Sequence, residues 1–156
     1  MPIAPVTIRP ADAADLPAMV GLLGELFALE ADFQPDPAAQ ARGLALLLGD
    51  PRARLLVAEA GGQGVVGMCS GQMLVSTAEG GPAAVVEDVV VLPGWRGRGV
   101  GRALLDAVAA WAAGRGAVRL QLLADRHNAP ALAFYARTGF ASTQLVCLRR
   151  RETPGA

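Results

Sequence analysis

The segment of this sequence richest in chemistry is a β-branched run that stops at a turn of glycines and arginines. It reads Val91-Leu92-Pro93-Gly94-Trp95-Arg96-Gly97-Arg98-Gly99-Val100-Gly101-Arg102, followed by Ala103-Leu104-Leu105. A strand, a glycine-rich turn and an amphipathic helix in that order leave backbone N–H groups without partners at the positive end of a helix dipole. Such a place is an anion site. Glycines at 97, 99 and 101 let a phosphate approach the main chain where a Cβ would stand in the way. Arg96, Arg98 and Arg102 add positive charge, although three side chains on one turn cannot all face the same ligand.

Three phosphate-binding patterns compete for this turn. A P-loop needs a lysine after its second glycine, and the chain has no lysine at all. A dinucleotide fingerprint would begin at Gly97 and Gly99, but position 102 is Arg, and Asp125 lies too far downstream for the acidic residue expected about 20 positions on. The third pattern, Arg-x-x-Gly-x-Gly, fits as Arg96, Gly99 and Gly101. Just upstream, Glu87 and Asp88 interrupt an apolar strand, where a charge costs free energy unless it is paired or solvated in a cleft. Strand alternation sends Glu87 and Asp88 to opposite faces. Tyr135 is the sole tyrosine; the sole histidine, His127, reads as a solvated residue near a helix start.

The elements that must position these groups follow from periodicity and turn residues. Residues 6–9 read as a strand, 12–28 as a helix with Leu16, Met19, Leu22, Leu23 and Leu26 on one face, and 37–48 as a second helix. Strands follow at 54–59, 65–75 and 84–92, joined by glycine turns. A helix over 101–113, a strand over 117–123, a helix over 129–138 and a last strand over 140–148 complete the chain. A meander followed by strand-helix-strand means a mixed α/β sheet flanked by helices.

Composition narrows the function. The 156 residues suit one domain, 1–156, and 53% apolar residues support a core. A formal net charge of zero argues against nucleic acid or an anionic membrane as partner. All 14 basic residues are arginine, which excludes lysine-based catalysis. Cys69 and Cys147 are far apart and match no metal or redox spacing, and one histidine makes no zinc site, so no metal is expected. No segment resembles a signal peptide or a membrane helix, which points to a cytoplasmic protein.

The Arg-x-x-Gly-x-Gly turn resembles the pyrophosphate loop of the GNAT superfamily of N-acetyltransferases. A second block, Asn128-Ala129-Pro130-Ala131-Leu132-Ala133-Phe134-Tyr135-Ala136-Arg137-Thr138-Gly139-Phe140, is similar to that superfamily's Asn-x-x-Ala-x-x-Phe-Tyr-x-x-x-Gly-Phe signature. The resemblance covers residues 55–148. It implies a six- or seven-stranded mixed sheet with about four helices, splayed between strands 84–92 and 117–123. Acetyl-CoA is the implied co-substrate, its pantetheine arm paired with the main chain of Val89, Val90 and Val91. Its pyrophosphate would rest on Gly97, Arg98, Gly99, Val100, Gly101 and Arg102, beside Arg96, with Asn128 and Ala131 touching the coenzyme. A homodimer is the family's habit.

The implied reaction is acetyl transfer to an amine by direct attack in a ternary complex. An alkylamine with a pKa near ~10 is mostly protonated at neutral pH, so a carboxylate must bind it and take a proton. The resemblance gives Glu87 that role, Tyr135 the role of acid toward the leaving thiolate, and Val89 or Val90 the N–H that holds the oxyanion. Glu30, Asp32 and Phe33 lie in the region expected to meet the acceptor, and their acidity suggests a small cationic amine. Two other readings are an acetyl-CoA-binding sensor without turnover and an enzyme that acetylates peptides.

Overall fold

The computed structural model describes residues 4–155. The chain divides into two compact units, residues up to Leu122 and from Leu123 onward. The first unit is a five-stranded sheet in the order β1-β2-β3-β4-β5. Its strands are β1 (Val6–Pro10), β2 (Ala53–Ala60), β3 (Gly64–Ser76), β4 (Gly81–Val91) and β5 (Leu120–Leu122). The first four form an antiparallel meander, and β5 joins β4 in parallel.

Helices α1 (Leu16–Leu29) and α2 (Pro37–Gly49) share one core cluster with this sheet. Met19, Leu22 and Leu23 of α1 and Leu44 of α2 are buried with Leu55, Val57, Met68 and Val90 of the sheet. The start of α1 is fixed by charge. Asp12 caps the preceding turn through Ala14 N–H, and Asp15 accepts from Asp12 N–H at 2.8 Å. Arg9 of β1 holds Asp15 in a fork at 2.8 and 2.9 Å and reaches Glu59 of β2 at 2.8 Å. The Arg9 guanidinium keeps the buried Asp15 carboxyl below its ordinary range.

Helix α3 (Val100–Gly114) presents Val100, Leu104, Val108 and Ala112, one stripe at four-residue spacing, and all four are buried. It reaches the sheet because β3 carries Gly67 and Gly71 where a side chain would obstruct it. A Cβ on Gly71 would stand 2.6 Å from Val108 Cγ2 and 3.0 Å from the Trp111 ring. Gly71→Ala should therefore destabilise the protein by about 1–3 kcal/mol. A urea titration checks this, and Gly94→Ala, where a Cβ meets nothing within 4 Å, serves as the near-neutral control.

The second unit holds α4 (Ala129–Arg137), followed by residues without regular structure. Two expectations need correction here. The strand expected over 117–123 shrinks to Leu120–Leu122, and the one expected over 140–148 does not form. The sheet accordingly has five strands among the described residues, not six or seven. Residues 140–148 have the right side chains, but β-propensity expresses itself through cross-strand partners and burial. Here Leu145, Val146 and Leu148 are exposed. The four α-helices agree with expectation. No helix among the described residues is long and apolar enough to cross a membrane.

Candidate active site

The β3–β4 ladder breaks at one place. Ser70 pairs with Glu87 and Met68 pairs with Val90, so Cys69 alone faces both Asp88 and Val89. This is a β-bulge. Asp88 occupies it with φ 56°, the one non-glycine residue with positive φ among those described. An L-residue in that region costs on the order of 1–2 kcal/mol, and aspartate tolerates it better than most.

The bulge changes which groups meet. The extra residue breaks the alternation between Glu87 and Val90, which pair with Ser70 and Met68 and so come to the same face. Glu87 is exposed and Asp88 half-buried. Burial first, then the charges of Glu87 and of Glu30 at the end of α1, push the Asp88 carboxyl up from 3.8 to about 6, while Ser70 as hydrogen-bond donor opposes them. Ser70 is 1% exposed, and its hydroxyl donates to the Glu87 carbonyl oxygen at 3.1 Å. Sequence reasoning missed Ser70 and the bulge beside it. The available signal was a serine in an otherwise apolar stretch of β3.

The neighbouring thiol is not a nucleophile. Cys69 Sγ donates to Leu104 O at 3.6 Å in full burial, and burial with the nearby Asp88 charge pushes its pKa up to about 12. Of the three residues expected at the acceptor, Glu30 alone acts on Asp88. Asp32 is exposed, and Phe33 packs its ring 5.5 Å from that of Phe27.

β4 outruns β5. Their ladder covers Ala84, Val85 and Val86 and stops, while β4 continues to Val91. Glu87, Asp88, Val89, Val90 and Val91 thus have β3 on one side and no β5 partner on the other. Beyond Val91 the chain makes a 3-10 turn, Pro93–Trp95, and enters α3 from Gly99. Gly97 and Gly99 have φ 71° and 81°, left-handed values that favour glycine. Gly99 caps α3 without a side-chain bond, and the first intrahelical bond runs from Ala103 N to Gly99 O. The N–H groups of Val100 and Gly101 lie in the first turn of α3, where the helix supplies no earlier carbonyl.

The arginines of the loop divide their work. Arg96 Nε donates to Val91 O at 2.9 Å and ties the loop to the end of β4. The Arg98 guanidinium lies 5.1 Å from the Trp95 ring centre. A cavity of about 490 Å³ is lined by Trp95, Gly97, Arg98, Gly99, Val100 and Ala103 of the loop and helix, with Ala4 and Val6.

In the second unit, Asn128 caps α4, its Oδ1 accepting from Ala131 N–H at 3.1 Å. Both residues of the expected coenzyme contact are thus engaged with each other at the helix start. The half-buried Tyr135 has its ring 5.3 Å from that of Phe134 and 5.8 Å from that of Phe140. His127 is exposed, as expected. Among the described residues, no group of His, Cys, Asp and Glu could hold a metal ion.

The pH dependence of stability follows from Asp88. Its folded pKa lies above the unfolded one, so the folded state binds the extra proton between about pH 4 and 6. Its contribution is most favourable below that window and is lost as pH rises through about 6. Asp88→Asn should leave stability at pH 4 little changed and raise it at pH 8 by on the order of 1–3 kcal/mol. Urea melts at the two pH values check this.

Comparison with known proteins agrees with the fold. The model of the Acetyltransferase (GNAT) family matches residues 22–140. Streptothricin acetyltransferase of Streptomyces lavendulae is 41% identical over 78 residues, covering 50% of this chain and 41% of that protein. The matched part is thus well under half of that relative. A putative acetyltransferase from Agrobacterium tumefaciens superposes with a TM-score of 0.79 at 27% identity, covering 93% of this chain and 99% of the other. The aminoglycoside N-acetyltransferase AAC(6')-Iy, solved in complex with CoA, superposes with a TM-score of 0.82 over 96% of this chain and 97% of its own. At 21% identity that likeness is one of fold.

Proposed function

We propose, because this chain belongs to the Acetyltransferase (GNAT) family, that it transfers an acetyl group from acetyl-CoA to a primary amine of a small cationic molecule. The observation that carries the reading is the bulge at Asp88: it gathers a carboxyl with a pKa of about 6 and the charges of Glu87 and Glu30 where β4 loses its β5 partner.

The chemistry runs from these residues. Glu87 and Glu30 attract the ammonium form of the acceptor. Asp88, ionised above pH 6, takes one proton and frees the nitrogen lone pair. A carboxyl near 6 is a stronger base than an ordinary aspartate and still ionised at neutral pH, which suits it to this step. The nitrogen attacks the thioester carbonyl carbon, and the oxyanion is held by the N–H of Val89 or Val90. Collapse of the tetrahedral intermediate breaks the C–S bond. The thiolate takes a proton from an acid, the role the family resemblance gives Tyr135, and the excess proton on the new amide nitrogen passes to solvent as that acid is reprotonated. The pantetheine arm pairs with the free edge of Val89, Val90 and Val91 like an added strand. The pyrophosphate is met by the N–H groups that begin α3, opened by Gly97 and Gly99. The family resemblance assigns Asn128 and Ala131 to the coenzyme as well.

Streptothricin and aminoglycosides are the first acceptors to try, since proteins of this likeness are named for acting on them. The test is coenzyme A release from acetyl-CoA with streptothricin, aminoglycosides, polyamines, amino acids and short peptides. Turnover is expected on one cationic class, with Tyr135→Phe slowing kcat about 10²-fold. Turnover confined to peptides would move the acceptor to protein, and acetyl-CoA binding without turnover on any acceptor would make the chain a sensor.

A further inference from the structure

The mechanism above uses the carboxyl of Asp88 but leaves unexplained the buried hydroxyl beside it. Ser70 lies on β3 directly opposite Glu87, at the last paired position before the bulge. It is one of four buried polar or charged residues among those described. Such a group is costly in an apolar layer unless its hydrogen bonds are made. A serine hydroxyl has a single proton to give and lone pairs with which to accept. Two acceptors compete for that proton: the Glu87 carbonyl oxygen, which receives it at 3.1 Å, and the Asp88 carboxyl next in sequence.

We propose that Ser70 is a positioning residue for Asp88, its hydroxyl turning between the Glu87 carbonyl and the Asp88 carboxyl as that carboxyl loses and regains its proton. With Asp88 protonated, the carboxyl donates to Ser70 Oγ, and Ser70 donates to Glu87 O. With Asp88 ionised, Ser70 donates to the carboxylate. The hydroxyl thus serves both charge states without a buried group being left unmatched on the carboxyl, and it holds the carboxyl at one end of the bulge while the proton moves. The other titratable groups that act on Asp88 are Glu87 on its own strand, Glu30 at the end of α1 and the Cys69 thiol on β3. Both acids oppose its ionisation, and burial keeps the thiol protonated. Among these neighbours, Ser70 is the group that favours the ionised form.

The inference rests on the assignment of Asp88 as proton acceptor for its catalytic meaning, but not for its physical content. Its test is the pH titration of the Asp88 carboxyl by 13C NMR in the wild type, Ser70→Ala, Ser70→Cys and Ser70→Thr, the signal being identified by its loss in Asp88→Asn. Ser70→Ala and Ser70→Cys should raise the midpoint by about half to one pH unit, and Ser70→Thr, which keeps the hydroxyl, should return it to the wild-type value. The acid limb of kcat/KM should move with the midpoint in each variant while the KM for acetyl-CoA stays put. A midpoint unchanged in folded Ser70→Ala and Ser70→Cys overturns the proposal. A midpoint that moves while the kinetic limb does not sinks instead the assignment of Asp88 as the base, and Ser70 then has no catalytic part to position.

Discussion

The site depends on one irregularity, the residue inserted into β4 opposite Cys69. Without it, the strand would keep its period of two, and Glu87 and Val90 would face opposite sides of the sheet. With it, Asp88 takes a left-handed backbone, and Val90 returns to the core of α1 and α2, where it is buried with Met19 and Met68. The local strain is held in place by that packing. A backbone conformation costing a kilocalorie or two persists only when its surroundings determine it, and residues on both sides of the bulge are fixed by the β3 ladder.

The charges are distributed to match. A chain without lysine meets its need for cations with arginine alone, and several of these are committed to the protein itself. Arg9 clamps the start of α1, Arg96 ties the loop to β4, and Arg98 lies over Trp95. Cations thus gather at the turn that starts α3, while acids gather at the bulge. The two ends of the free β4 edge therefore favour opposite charges, an arrangement suited to a molecule with an anionic tail and a reacting partner that is cationic.

Local features were legible in the sequence, and features set by register were not. The glycine turn and the helix it opens could be read because glycine at 97 and 99 and the start of the α3 stripe are encoded within a dozen residues. The leucines of α1 and the proline-led start of α2 were equally plain. The bulge was not, because no residue near Asp88 marks it: it arises from how β3 and β4 align, a relation between residues well apart in the chain. Residues 140–148 failed for a related reason, since alternating side chains predict a strand only if a neighbour supplies the ladder. The Glu-Asp pair stood out in the sequence, but the burial that raises the Asp88 carboxyl did not.

The proposed reaction turns on Asp88 taking the proton from the acceptor amine. The most direct measurement is the pH profile of kcat/KM for acetyl transfer in the wild type, Asp88→Asn and Glu87→Gln. The wild-type rate should rise with a midpoint near 6, the rise should vanish with a large loss of rate in Asp88→Asn, and it should survive in Glu87→Gln. A profile in which Asp88→Asn keeps both its rate and its midpoint would contradict the account.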